Sequence, residues 1–486
     1  MKQNTPKFHT IVDRRDYLKN LGLWAFGYSD NALSLSLFHD LDELISCRAS
    51  HVYTWPWWVR ELDYNKPTTE IDWNKADRFD FRHLPQCSWQ GDKETAAWMD
   101  LRDGEGTANR LMQDFARRLK HAAHQNSQRY DLRNRALTEA LFNPAVAKFG
   151  QPEVGFTGPA VPVPSQAGVN KWSGTLEEAS TMLWQVCILF GASDVSLVEL
   201  NPETTRKLVA SHEFHDGKPY VFEDVAQAYE TGPDSMERKP QEGKRVIPER
   251  CRWLVHFSLN EVYEWPYAFS GDSWLRYAEA RQIQYRLQSF IKGLGYQAIG
   301  PCNFTNNMTE NIALAVVGGE AELGRNNMAI SPLLGTSCGQ YSSIITDLPL
   351  APSKPIDAGI HRFCHTCQLC AEACPGGAIS RAGQPGGEIR KNPVWEGFGP
   401  FHRWNKRSEF ESKTGNIPRW TKGLNQDAFY KHWYFSAPDC KVASDICGTW
   451  GCSQSCVFWQ GITVKSLAGI QPDGTALFPQ RITSQQ

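Results

Sequence analysis

The sequence predicts a mixed α/β (α+β) core followed by a smaller C-terminal domain built around metal clusters, and three observations carry that prediction. Helix-like and strand-like stretches alternate between residues 176 and 299. Eight of the 14 cysteines crowd into the last quarter of the 486 residues. With 41% hydrophobic residues and 51 Lys and Arg against 53 Asp and Glu, the chain can fill a large core and carries no bulk basic charge for nucleic acid. At roughly 100–200 residues per domain, the length suggests two to four domains.

Near the N-terminus, Arg14-Arg15-Asp16-Tyr17-Leu18-Lys19 precedes Asn20 to Phe38, a stretch whose only charge is Asp30. A twin-arginine pair ahead of a moderately apolar stretch is the address of the bacterial route that exports folded proteins. Asp30 and the lack of a clear Ala-x-Ala site also fit a basic turn before an ordinary core helix. No uninterrupted apolar run approaches the ~20 residues that cross a bilayer, so no membrane span is expected. Residues 39–150 begin with a Trp-rich, charged and irregular region containing Trp55, Trp57, Trp58, Trp73, Trp89 and Trp98, which reads as a wrapping segment.

The core is expected over 151–350. A Pro/Gly-rich loop from Gly155 to Ser173 delivers a helix from Leu176 to Phe190, stopped by Gly191. Asp194–Leu200 and Arg252–Phe257 read as strands, with a polar probable insertion over 202–247 between them. Ser273 to Leu294 reads as a second long helix with Ile283, Leu287, Phe290, Ile291 and Leu294 on one stripe, and Tyr296 to Ile299 as a short strand. At about 100° per residue, Tyr277 falls on the flank of that stripe. Cys47, Cys87, Cys187, Cys251, Cys302 and Cys338 read as small buried hydrophobes.

The C-terminal region, 351–486, carries the chemistry. Cys364-x2-Cys367-x2-Cys370-x3-Cys374-Pro375 is the bacterial ferredoxin run, in which three closely spaced thiolates wrap one [4Fe-4S] cube and the fourth ligates a second cube. Structural zinc favours two separated cysteine pairs instead. The second set, Cys440-x6-Cys447-x4-Cys452-x3-Cys456, is less regular and has Val457 where the run has proline. The crossover rule assigns Cys456 to the cluster of Cys364, Cys367 and Cys370, and Cys374 to that of Cys440, Cys447 and Cys452. Two such clusters form a wire without an open substrate site, so the rest of the chain must hold the acceptor. No Gly-x-Gly-x-x-Gly follows a strand and no Gly-Lys-Ser/Thr phosphate loop occurs, so neither a Rossmann cofactor nor a P-loop is supported.

At this point the residues resemble the cobamide-dependent reductive dehalogenases of the organohalide-respiring type. Arg-Arg-Asp-Tyr-Leu-Lys, Phe38-His-Asp-Leu-Asp-Glu43, Pro56-Trp-Trp-Val-Arg60 and Pro67-Thr-Thr-Glu-Ile-Asp-Trp73 are similar to the leader and early region of that family. Leu294-Gly-Tyr-Gln-Ala-Ile299, Pro301-Cys-Asn303, Ile330-Ser-Pro332, Asp347-Leu-Pro-Leu350 and Lys354-Pro-Ile-Asp357 continue the similarity up to the ferredoxin run. The resemblance implies a nitroreductase-like core over 151–350 that binds a corrinoid with its nucleotide base off the cobalt. It also implies a ferredoxin-like domain with two [4Fe-4S] clusters over 351–486 and a leader over 1–38. The implied reaction replaces halogen by hydrogen in a small organohalide.

By the same resemblance, Tyr277 protonates the carbon with Asn303 assisting, and Tyr285 is the rival if the helix register differs. A tyrosine with a pKa near 10 needs a nearby cation or hydrogen-bond donor to act as an acid. The family supplies an arginine after its Ser-Pro-x-x-Gly turn, whereas this sequence has Gln340 there, followed by Tyr341. The tryptophans suit a dry aromatic cavity, although core packing explains any single one. A membrane anchor protein and a respiratory electron donor are further implied partners, with the enzyme on the outer face of the cytoplasmic membrane; the alternative location is cytoplasmic. The runner-up is an enzyme resembling epoxyqueuosine reductase, which acts on tRNA and is disfavoured by the balanced charge and the leader. A ferredoxin-like carrier is third, since a carrier needs no large preceding core.

Overall fold

Alternate residues of one central sheet differ in character, as a sheet between two packed layers requires. The computed structural model describes most of residues 55–81 and 155–382, scattered positions from 100 to 117, Trp433 and residues 451–458, with short gaps at 214–215, 234–241, 261–268, 303–307, 337 and 375–378. All of these belong to one unit, Trp55–Gln486. The expected leader and Cys47, Cys87, Asn303, Cys440 and Cys447 lie outside the described residues.

In chain order the elements are β1 (Arg60–Glu61), α1 (Leu176–Phe190), β2 (Asp194–Glu199), β3 (Tyr220–Glu223), β4 (Tyr229–Glu230), β5 (Arg245–Pro248), β6 (Trp253–Asn260) and α2 (Phe269–Gly293). Then follow β7 (Ala298–Ile299), α3 (Asn311–Val317), β8 (Glu322–Leu323), β9 (Ala329–Ile330), β10 (Cys338–Thr346), β11 (Ile356–Asp357), α4 (Ile360–Cys364), α5 (Leu369–Glu372) and α6 (Gly451–Gln454). The central sheet has the order β2-β6-β10-β7, and every neighbouring pair is antiparallel. The mixed α/β content is therefore present in its α+β form. β6 and β7 both oppose β10, so β6-α2-β7 is a helical crossover between like-directed strands with β10 inserted between them.

Helix α1 has the bounds its sequence signals dictate. Thr175 Oγ1 accepts from the Glu178 amide at 3.1 Å while Glu178 Oε2 accepts from the Thr175 amide at 2.7 Å, and Gly191 closes the helix at φ 114°. α2 starts four residues before the predicted Ser273 and ends one before Leu294. One face of the sheet, with Val195, Leu197, Val255, Phe257, Leu259 and Ile344, packs on Leu183 and Cys187 of α1 and on Ile283, Leu287 and Ile291 of α2. Each such fully buried side chain contributes roughly 1.5–3 kcal/mol.

The opposite face is apolar at one end, where Val198, Leu254 and Ile345 meet Leu314 and Val317 of α3. At its other end, Ser196 and Ser258 hydroxyls donate to the Glu320 carboxylate at 2.6 Å each, and His256 Nδ1 lies 2.5 Å from Glu320 Oε1. All four residues are buried. Leaving such buried donors without their acceptor costs about 1–3 kcal/mol each, so Glu320 specifies how α3 and the following loop seat on the sheet.

The expected insertion over 202–247 contains the β3-β5-β4 sheet, with β3 and β5 parallel. Part of its polar composition is internal rather than solvated. Arg245 holds both oxygens of Asp216 at 2.9 and 2.7 Å, and Lys218 Nζ lies 2.6 Å from Glu230, with Asp216, Lys218 and Arg245 all buried. The Trp-rich segment reaches the C-terminal region: β1 pairs with β11, and Arg60 and Arg362 both hold Asp357 at 2.7 Å. Trp55 and Trp58 pack against the cluster of Val59, Ile356, Ile360, Phe363 and Cys367. Cys187, Cys251 and Cys302 are buried, as expected of small hydrophobes.

Asp194 is buried beside this polar end, and one of its carboxylate oxygens has no hydrogen-bond partner among the described residues. Burial, and then the negative Glu320, push its carboxyl well above the usual range. A carboxyl whose pKa is raised on folding stabilises the fold while it keeps its proton, and that contribution is lost as pH climbs above the unfolded value of about 3.9. Asp194→Asn should therefore gain stability relative to the parent as pH rises from about 4 to about 8. Thermal unfolding across that range checks it, and parallel pH profiles for the two proteins would show that Asp194 has no such linkage.

Candidate functional site

The cysteine-bearing segments are short turns of helix, and their hydrogen bonding explains where each sulfur sits. Gly359, at φ 79°, opens α4, and Cys364 closes it. The chain then turns, with the Cys367 amide donating to the Phe363 carbonyl at 3.0 Å. Cys370 follows on α5 and Cys374 just beyond it. Cys452 lies on α6, and Cys456 follows in a turn closed by its amide to the Ser453 carbonyl at 3.1 Å. α5 and α6 pack on one another.

Cys364, Cys367, Cys370 and Cys456 line one space, walled also by Phe363, Leu369, Val457 and Phe458. Three of these sulfurs come from the first run and one from the second. Cys374 and Cys452 lie next to that space without lining it, against Cys370, Ala371 and Ile379. Among the described residues no three His, Cys, Asp or Glu side chains converge tightly enough to hold a single metal ion. Four thiols spread around the wall of one space fit a multi-atom cluster, and thiols are the donor set that iron–sulfur clusters use.

Burial pushes the Cys364 thiol up to about 12, and burial followed by neighbouring sulfurs pushes Cys370 and Cys456 well above the ordinary range. Such thiols stay protonated unless a cationic group displaces the protons. Cys452 is raised to about 11, first by burial and then by Cys374.

The β8–β9 hairpin, which the sequence reading did not single out, grips this segment from both ends. Glu322 Oε2 accepts from the amides of Ala358 and Ile360, each at 2.9 Å, at the start of α4. Burial, and then the charge of Asp357, raises the Glu322 carboxyl to about 7. Arg325 takes the other end: Nε donates to the Cys364 and Cys367 carbonyls at 3.1 and 2.7 Å, and Nη2 to those of Cys364 and His365 at 2.6 and 3.3 Å. Nη1 donates to the carbonyls of Ser380 and Ala382 at 2.9 and 2.5 Å, and the guanidinium lies 5.0 Å from the ring centre of Trp433. The signal in the sequence is Glu322-Leu-Gly-Arg325-Asn-Asn, with Asn327 in the left-handed region at φ 58° making the turn.

The second predicted group centres on α2. Tyr277 is half-buried on this helix and packs against the cluster under the sheet. One turn on, Arg281 donates to the carbonyl of Cys302, the residue before Asn303. Further along, Gln284 Nε2 donates to Pro301 O at 2.8 Å and Gln288 Nε2 to Ala298 O at 3.0 Å, both from buried side chains. The helix of Tyr277 therefore holds the segment that leads into Asn303, whose own position is outside the described residues. In β10, Gln340 pairs with Ser258 and Ser342 with Phe257, so Tyr341 is the extra residue of a bulge. Bulges occur next to active sites and bend the strand locally.

The described tryptophans sit mainly against packed interiors, with Trp172, Trp184 and Trp253 at the α1–α2 core and Trp73 at the core beside α3.

The family model described as reductive dehalogenase subunit matches residues 54–350. The chain is 28% identical over 432 residues to the chloroethene reductive dehalogenase of Dehalococcoides mccartyi strain VS, covering 78% of this chain and 81% of that one. It is 26% identical over 480 residues to the trichloroethene reductive dehalogenase of a second Dehalococcoides mccartyi strain, covering 82% and 85%. A solved catabolic reductive dehalogenase superposes with a TM-score of 0.46 at 16% identity, and the chain covers 84% of itself and 45% of that longer chain. With the family match running over more than half of its 486 residues, the chain belongs to the reductive dehalogenase family of oxidoreductases.

Proposed function

We propose that this chain is the catalytic subunit of a corrinoid-dependent reductive dehalogenase, in which two electrons and a proton convert R–X to R–H and halide. The observation that carries the reading is the meeting of Cys364, Cys367, Cys370 and Cys456 around one space in a chain of this family. Those four residues would hold one [4Fe-4S] cluster, and Cys374 with Cys452, Cys440 and Cys447 the second. When bound, the clusters supply single electrons and the corrinoid supplies the reducing centre for the carbon–halogen bond. The corrinoid, in its base-off form, enters with the family resemblance, as does the nitroreductase-like character of the core.

The chain's own residues position and protonate. Tyr277 is the proposed proton donor, with Asn303 beside it. Arg281 orders the peptide before Asn303, so that the two groups are carried by segments already tied together. Gln340 offers no charge where the family has arginine, and a neutral amide stabilises a phenolate less than a guanidinium. The relatives are named for chloroethene and trichloroethene, and a small halogenated hydrocarbon of that kind is the proposed substrate. Terminal reduction in organohalide respiration, export through Arg14-Arg15 and peripheral attachment through a separate anchor protein complete the proposal. No helix among the described residues is long and apolar enough to cross a membrane.

Anaerobic reconstitution with corrinoid, iron and sulfide, followed by assay on chlorinated and brominated ethenes under reduced viologen, should release halide; cofactor uptake without halide release rules the activity out. Tyr277→Phe should lower turnover on the order of 10²–10⁴-fold while retaining corrinoid and iron. Unchanged turnover would place proton donation elsewhere. Cys364→Ser and Cys456→Ser should each remove about half of the bound iron, and their combination no more than either alone, because both sulfurs serve one cluster. Combining Cys364→Ser with Cys374→Ser should remove nearly all of it, as read from iron and acid-labile sulfide per chain.

A further inference from the structure

Arg325 is 1% exposed, and among the described residues no carboxylate pairs with it. Its donors are taken up by five backbone carbonyls, those of Cys364, His365, Cys367, Ser380 and Ala382, all in the cysteine-bearing segment. It also lines the space framed by the four cysteines. A buried guanidinium is costly unless its charge is compensated, and carbonyl dipoles satisfy its hydrogen bonds without neutralising it. Among the described residues, the remaining source of negative charge at this place is the set of thiols facing the space. Neutral thiols do not provide that charge, but thiolates bound to an iron–sulfur cluster do.

We propose that Arg325 is a positioning residue for electron delivery: it fixes the Cys364–Cys370 loop and places a buried positive charge beside the cluster held there, making that cluster easier to reduce. The inference rests on the four-cysteine reading of the proposed function. Reduction adds one electron to a group that is already anionic, so a fixed cation nearby stabilises the reduced form more than the oxidised form. Burial keeps water from screening that interaction. The hairpin also divides the work between its two charged residues. Glu322 accepts from amides at the start of α4, whereas Arg325 donates to carbonyls at its end, each matching the helix end it meets.

The test is an anaerobic redox titration of the reconstituted holoenzyme with dithionite, followed by electron paramagnetic resonance, alongside iron content. In Arg325→Gln the cluster of Cys364, Cys367, Cys370 and Cys456 should be reduced at a more negative potential than in the parent. Arg325→Lys should shift it in the same direction by less, because an ammonium keeps the charge but has three donors for five carbonyls. A purely structural role would lower iron content or thermal stability without moving the potential of the cluster that remains. Wild-type potential in Arg325→Gln overturns the inference. If Arg325→Gln retains too little iron to titrate, Arg325→Lys titrated at pH 7 and pH 10 decides, because a buried lysine can lose its charge over that range and arginine cannot: a larger fall in potential than the parent's supports the inference, and a fall equal to the parent's overturns it. A parent protein that binds no iron–sulfur cluster overturns the four-cysteine reading and this inference with it, whereas a parent cluster with an unmoved variant potential sinks this inference alone.

Discussion

Five carbonyl groups of the cysteine-bearing segment converge on the guanidinium of Arg325, and the placement of the sulfurs depends on that convergence. Short helices of four or five residues have little stability of their own, because nucleation uses up most of what their few hydrogen bonds return. α4, α5 and α6 are of this kind. Something outside them must fix their ends, and for α4 the β8–β9 hairpin does so with one carboxylate and one guanidinium. Trp433 and His361 complete the grip, the indole packing beside Arg325 and His361 Nδ1 donating to the Leu323 carbonyl at 2.8 Å.

That hairpin is in turn seated by the sheet. The polar end of the central sheet accepts Glu320, two residues before Glu322, through Ser196, His256 and Ser258. Gly318 lies so close to Ser196 that an added Cβ would meet its Oγ at 2.4 Å, so the turn after α3 tolerates no side chain there. Strand register therefore passes through Glu320 to the hairpin and on to the cysteines. The same sheet presents its apolar face to α2, whose Arg281, Gln284 and Gln288 hold the peptide before Asn303. The proposed site of electron entry and the proposed proton donor are thus mounted on the two faces of one sheet.

Much of this was legible in the residues. Thr175, Glu178 and Gly191 mark both ends of α1 because caps act locally, and the α2 stripe was visible because burial follows a 3.6-residue period. Strand β10 was not foreseen. Its first six residues, Cys-Gly-Gln-Tyr-Ser-Ser, show no apolar alternation, and a bulge at Tyr341 breaks the period before Ile344 and Ile345 restore it. The buried charges of the 202–247 insertion also escaped a reading of polarity, since Asp216, Lys218 and Arg245 are internal only by pairing. The turn signal around Arg325 marks a hairpin but not what the guanidinium binds, because its partners are carbonyls up to 57 positions away.

The sequence by itself determined the cysteine spacing, the helix ends and the family likeness, all of which depend on neighbours within a few residues or on short phrases. The ferredoxin crossover rule already groups Cys456 with Cys364, Cys367 and Cys370, and the tertiary structure brings those four around one space with Cys374 and Cys452 against Cys370. It alone decided that a hairpin before the ferredoxin run holds that run in place. The physical reason is that hydrogen bonds to backbone carbonyls leave no trace in residue identity: every residue offers the same acceptor, and the fold chooses which of them meet a buried guanidinium.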